Sequence, residues 1–248
     1  MEEPVVTVIE VESSQKERVP SHLSALRKRV SGGRRLQREE FANILDLARI
    51  MARRDAQALP LLIRLLGRAA QIRAMGRVVR EKKMESYDYD SDHALFHYGA
   101  ELTRNGQRLD DLKREVPAPR SLNLASDLIF PWPWNAGRII NAFSNLRPGG
   151  EWGRWQQDLN HSIELWLPIG IGWVHGGNHS ITAGILNGEG EIQPEITYDI
   201  SRVYKHVTCD GIKYYRKYDG KAIGVVPDFE MAAVFEIGRL IMKHKVPF

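Results

Sequence analysis

Apolar residues at 41, 44, 45, 47, 48, 50 and 51 of "LQREEFANILDLARIMARR" recur at helical spacing and predict an amphipathic helix. The next run, "ALPLLIRLLGRAAQIRAMGRVVREKK", predicts a long partner helix with Pro60 near its start. Positions 61, 62, 65, 66, 69, 72, 75, 78 and 79 form its apolar side, with Arg64, Arg68, Arg73, Arg77 and Arg80 facing elsewhere. Upstream, "HLSALRKRV" after Ser21 reads as a short helix stopped by "SGG". In the first twenty residues the alternation "VVTVIEV" allows an added edge strand ended by Pro20. "MESYDYDSDH" reads as an acidic surface connector, and "HALFHYGAELTRNGQRLDDLKREV" as a further helix broken near Asn105 and Gly106.

The texture changes after "PAPR", so a domain boundary is placed at 116/117. "PWPWNAGRIINAFSNLRPGG" predicts a turn, an Asn135 N-cap, a short helix and a glycine stop. "IELWLPIGIGWVHGG" predicts two apolar strands separated at 168–170, and "NHSITAGILNGEG" a short helix closed by Asn187 and Gly188. "IQPEITYDIS" supplies another strand, and Asp210-Gly211 between two β-prone runs predicts a tight hairpin. Pro227 is expected to open a last helix, "PDFEMAAVFEIGRLIMKHK", basic at its C-terminus. The fold class is α+β. An arm occupies 1–20, a basic helical region 21–116 and a mixed α+β domain 117–248.

Composition adds little to that picture until charge is resolved along the chain. The 248 residues, 43% hydrophobic and 27% charged, suit an ordinary globular protein. No apolar run reaches the ~18–20 residues of a membrane span, and the acidic N-terminus lacks the features of a secretory signal. A lone cysteine, Cys209, excludes an internal disulfide and a cysteine-built zinc cage. A cytoplasmic protein with no membrane partner is the default. The net charge of +4 conceals an asymmetry: residues 16–83 hold 18 Lys+Arg and 6 Asp+Glu, or +12, leaving −8 on the rest. Such a basic block suits nucleic acid or an acidic partner protein docking on the N-terminal helices. A solvated helical face is the competing reading.

The candidate chemistry gathers where strand passes to helix. The tetrapeptide Asn-His-Ser-Ile occurs twice, at 160–163 and at 178–181, and only the second copy follows a glycine pair, Gly176-Gly177. Two glycines permit a sharp turn and close backbone approach, and the first-turn N–H groups of the helix then favour an anion. Gly176, Gly177, Asn178 and Ser180 are therefore candidate phosphate-binding residues, with Asn178 and Ser180 as caps. A glycine turn that simply joins strand to helix is the alternative. His179 is the candidate for acid–base chemistry, with Asn178 beside it. His161, His175, Arg138 and Asp199 are possible accessories. His161, His179 and Asp199 could share one metal ion, although their spacing matches no established ligand pattern, and His161 alone reads as a structural histidine. All six tryptophans lie between 132 and 173. They suit a packed core, while the "PWPW" loop keeps Trp132 and Trp134 as candidates for stacking on a base.

The succession strand, turn, strand, glycine motif, helix and strand over about residues 130–200 resembles the core of the ParB/sulfiredoxin superfamily. That family carries Gly-Gly-Cys-His-Arg or Gly-Glu-Arg-Arg where this chain has Gly176-Gly177-Asn178-His179-Ser180. The resemblance implies a small mixed-sheet, ParB/sulfiredoxin-like domain behind an N-terminal helical bundle, holding nucleotide phosphates at the motif. Asn178 in the cysteine position excludes sulfiredoxin's thiol chemistry. Ser180 in the arginine position removes the bidentate phosphate clamp. By this resemblance the chain is expected to be a bacterial nucleotide- or nucleic-acid-binding protein that hydrolyses a phosphoester, as a nuclease or NTPase in DNA maintenance or phage defence. Mg²⁺ or another divalent ion with a nucleotide would be the cofactor. The alternative is a non-catalytic sensor or scaffold with a degenerate pocket, which the missing arginine favours.

Overall fold

A computed structural model describes residues 21–81 and 93–248, with side chains from residue 33 onward. The expected edge strand of the arm and all but the last residue of the acidic connector lie outside the described residues. The chain divides into residues 1–36 and 37–248. The described part of the first unit is the opening of helix α1 (Ser21–Asp55). α1 runs unbroken through Gly32 and Gly33, where the sequence predicts a stop. Each glycine costs the helix only about 1 kcal/mol relative to alanine, and the turns on either side carry good helix formers in Lys28, Arg29, Arg34, Arg35 and Leu36.

In the larger unit, a single 3₁₀ turn (Ala56–Ala58) links α1 to α2 (Leu59–Glu81), and the Asp55 carboxylate accepts the Gln57 N–H at 3.0 Å. The buried side of α2 is not the one read from its large apolar residues. Leu62, Ile63, Gly67, Ala70, Gln71, Ala74, Met75 and Val78 face inward, while Leu61, Leu65, Ile72 and Val79 are exposed. Close packing selects the small residues: a Cβ at Gly67 would stand 2.4 Å from Leu128. Buried Gln71 donates to the Ile129 carbonyl at 2.5 Å, so the helix also satisfies a backbone group of the strand below.

Residues 93–113 are mostly turns with one short helix, α3 (Leu109–Leu112), in place of the long helix expected there. The central sheet has the order β1-β7-β4-β5-β3. Its strands are β1 (Arg114–Glu115), β3 (Leu128–Phe130), β4 (Ser162–Leu167), β5 (Ile171–Gly176) and β7 (Ile196–Asp199). β4 and β5 form the expected antiparallel hairpin around a turn at 168–170. β3 runs parallel to β5 and β7 parallel to β4. β2 (Leu122–Asn123) pairs with β6 (Glu191–Ile192) in a small separate ribbon. The Asp210-Gly211 turn joins β8 (Val207–Cys209) to β9 (Lys213–Arg216), with β10 (Ala222–Val225) completing the meander. Asp210 accepts the Ile212 and Lys213 N–H groups, which fixes that turn.

Helix α4 (Ala136–Asn145) is capped by Asn135, whose side chain accepts the Arg138 N–H at 3.0 Å. α5 (Asn178–Asn187) ends at left-handed Gly188, as expected. The last helix, α6 (Phe229–His244), is capped by Asp228 rather than opened by Pro227. Asp228 also meets Arg73 of α2 at 2.9 Å. One apolar core joins Phe41 and Leu59 of the front helices to Trp166, Trp173 and Phe130 of the sheet and to Phe235 of α6. Residues 37–248 form one compact unit, and this core holds residues from both sides of 116/117.

Candidate functional site

Gly177 is the N-cap of α5 and takes φ +78°, a left-handed backbone that costs any other residue about 1–2 kcal/mol. A Cβ there would lie 2.3 Å from His161 Cδ2, and one at Gly176 would lie 2.5 Å from the Asn160 carbonyl oxygen. The sequence reading assigns the two glycines to close ligand approach. The structure instead fills their space with the chain that leads into β4. The two Asn-His-Ser-Ile copies therefore meet: His161 of the first reaches Ser180 of the second, with Nε2 and Oγ 2.6 Å apart. His161 thus lines the cavity with a buried ring whose two nitrogens both meet neighbours.

Asn178 is the first residue of α5 and not its cap. Its Oδ1 accepts the Trp132 N–H at 2.6 Å and the side chain is buried, so its amide oxygen ties α5 to the "PWPW" loop. Trp132 is buried with it and joins the core, which removes it as a stacking platform. Ser180 donates its hydroxyl to the Gly177 carbonyl at 3.0 Å. Among the described residues no side chain caps this terminus, and no hydrogen bond closes the N–H groups of Asn178, His179 or Ser180. Helix geometry aims those N–H groups out of the N-terminal end.

Residues 176–180 line an open cavity of about 950 Å³. Trp134 and Arg138 border it on one side, with the Arg138 guanidinium 4.8 Å from the ring centroid. The 152–161 segment borders the other. His179 stands edge-on to Trp134 at 5.4 Å, and its Nε2 accepts the Asn135 N–H at 3.2 Å. Burial first, and then the positive charge of Arg138, lower its pKa to about 4, so the ring is neutral at pH 7. With Nε2 committed to α4, His179 joins two helices, which displaces the expectation of an acid–base role at that nitrogen.

His175 lines the same cavity and pairs with Glu164 at 3.2 Å. Burial raises the Glu164 pKa, but hydrogen bonds from His175 and Trp166 and the charge of Lys113 outweigh it and hold the carboxylate below its usual range. Asp199 is elsewhere. Ser162 pairs with Gly176 at one end of β4 and Leu167 with Asp199 at the other, about 17 Å along the strand. Asp199 holds Arg114 at 2.9 Å. The His161, His179 and Asp199 metal set is therefore not assembled, and no cluster of three or more His, Cys, Asp or Glu that could hold a metal gathers among the described residues.

Sequence reasoning misses Asp158, Trp152 and Trp155, all of which line the cavity. Asp158 Oδ1 lies 2.8 Å from His161 Nδ1, and the Trp155 ring lies 4.8 Å from the His161 ring. The repeated tetrapeptide is the signal that could have pointed to them, because it marks two stretches that converge. A second cavity, about 730 Å³, opens beside Arg73 and Arg77, but both are engaged by Asp228, Glu230 or Glu81.

Fold and site together define a mixed helix-and-sheet protein with a polar pocket over an uncapped helix N-terminus. The chain belongs to the family of unknown function DUF6710, whose model matches residues 25–248. No curated protein and no solved structure matches it.

Proposed function

We propose that the pocket over α5 binds the phosphate of a nucleotide or nucleic acid and that the protein hydrolyses a phosphoester there. The observation that carries this reading is the uncapped first turn of α5 opening into a cavity of about 950 Å³. Arg138 stands at the rim with no ion pair among the described residues, and Trp134 and Trp152 offer ring faces for a base. The order β4, turn, β5, glycine pair, α5 and β7 supports the ParB/sulfiredoxin-like reading of residues 130–200. Part of the basic block is spent internally, because Arg38, Arg49, Arg73 and Arg77 are in ion pairs. Arg53, Arg54 and Arg64 carry none among the described residues and leave the helices a cationic surface for nucleic acid.

Calorimetric titration with ADP and with a short single-stranded DNA tests the reading. Saturable binding is expected, weakened roughly tenfold (about 1.4 kcal/mol) by Arg138→Gln. Equal affinity in wild type and variant, or none in either, contradicts it.

The scaffold alternative is favoured by a different observation. Leu47 and Ile50 of α1 and Leu61, Leu65, Ile72 and Val79 of α2 are exposed, large apolar side chains on two successive helices of the kind that protein contacts cover. A partner protein covering those helices would account for it. Ligand binding with no turnover of any phosphoester would select this second reading.

A further inference from the structure

We propose that Ser180 is a nucleophile activated by His161 and Asp158, forming a covalent phosphoseryl intermediate in the pocket over α5. The geometry is that of a serine, a base and an orienting carboxylate. Ser180 Oγ lies 2.6 Å from His161 Nε2, and His161 Nδ1 lies 2.8 Å from Asp158 Oδ1. All three residues line the cavity. The turn is shaped to admit the imidazole, since any side chain at Gly177 would collide with it. The Trp155 ring backs the imidazole from another side.

In the resting ring the Asp158 N–H donates to Nδ1 at 2.8 Å, which leaves the ring proton on Nε2, so activation of Ser180 goes through the other tautomer. The tautomer the reaction uses carries its proton on Nδ1, towards Asp158 Oδ1 at 2.8 Å, and leaves Nε2 free to take the serine proton. Burial lowers the His161 pKa against the opposing pull of Asp158, so the ring is neutral and able to accept that proton at pH 7.

The step balances with water as the only co-reactant. The Ser180 hydroxyl turns from the Gly177 carbonyl to His161 Nε2, and its proton passes to that nitrogen as Oγ forms a bond to phosphorus and the bond from phosphorus to the leaving alcohol breaks. The imidazolium returns the proton to the departing oxygen. A water molecule then gives a proton to Nε2 and attacks phosphorus, the Oγ–phosphorus bond breaks, and Ser180 regains its proton. Negative charge on the phosphoryl oxygens meets the free N–H groups of the same helical turn, and Asp158 steadies the imidazolium.

This assignment rests on the phosphate-binding reading for its substrate class, but its test does not. Treatment with a fluorophosphonate, in which serine displaces fluoride at phosphorus, is followed by intact and peptide mass spectrometry. One adduct on Ser180 is expected. It should be absent in Ser180→Ala and form about 100-fold more slowly in His161→Gln. The rate should fall as pH drops below the ordinary imidazole range. No adduct on Ser180, or an equal rate in His161→Gln, overturns the proposal. ADP calorimetry on the same preparations separates the two claims. Binding without labelling removes the nucleophile and leaves the phosphate pocket, whereas labelling without binding does the reverse.

Discussion

At the residue scale, Gly177 shows how far the sequence could be read. The glycine pair, the strand before it and the helix after it are all legible from residue type. What the glycines accommodate is not, because Asn160 and His161 reach them only through the pairing of β4 with β5. Gly177→Ala is expected to cost about 1–2 kcal/mol from the left-handed backbone alone, and more from the clash with His161, as read by urea denaturation. An unchanged midpoint would show that the turn relaxes freely. His179 carries a second expectation. Its folded pKa of about 4 lies below the unfolded value near 6.5, so between those values the unfolded chain binds more protons. This contribution to stability is complete above about pH 6.5 and is lost as pH falls towards 4. The melting temperature of wild type should therefore drop on acidification across that window, and His179→Asn should drop less. Parallel curves would place the ring in water.

Elements divide into those fixed by local signals and those fixed by neighbours. α4 with its Asn135 N-cap, α5 with its Gly188 stop, the β4–β5 hairpin and the Asp210-Gly211 turn form where expected, although Asn178 and Ser180 do not cap the start of α5. The continuity of α1 and the buried face of α2 do not follow from periodicity. On α2 close packing buries Gly67, which meets Leu128 of β3, and Ala70 and Ala74 while leaving the larger Leu65 and Ile72 exposed, a choice only the partner surfaces can make. Residues 93–113 look helical in isolation, yet they form turns that bury Leu95, Phe96 and Leu102 in the main core. At the start of α6, Asp228 combines an N-cap with a tie to α2. Asp228→Ala is expected to cost about 1 kcal/mol or more and Asp228→Asn less, since asparagine keeps the cap and loses only the charge facing Arg73. Equal losses in chemical denaturation would assign the whole effect to the ion pair.

For the whole molecule, the core that joins α1 and α2 to the sheet and to α6 leads us to expect residues 37–248 to unfold as one unit. All six tryptophans lie between 132 and 173, whereas α1 and α2 hold most of the helical residues. Tryptophan fluorescence and far-ultraviolet circular dichroism should therefore report one coincident unfolding transition. Phe235→Ala, which removes the ring packed against Tyr204, Tyr214 and Phe96, should move both probes together by about 3–5 kcal/mol. Separate midpoints would restore a boundary near 116/117. The molecule's proposed role depends on one feature of this frame: α4 and α6 are capped by Asn135 and Asp228, while α5 is left open beneath the cavity. Amide resonances of nitrogen-15-labelled protein, followed during titration with ADP, examine that feature directly. The account expects the Asn178, His179 and Ser180 N–H signals to shift together and saturate while those opening α4 and α6 stay in place. Saturating ADP that leaves the three α5 signals unmoved would contradict it.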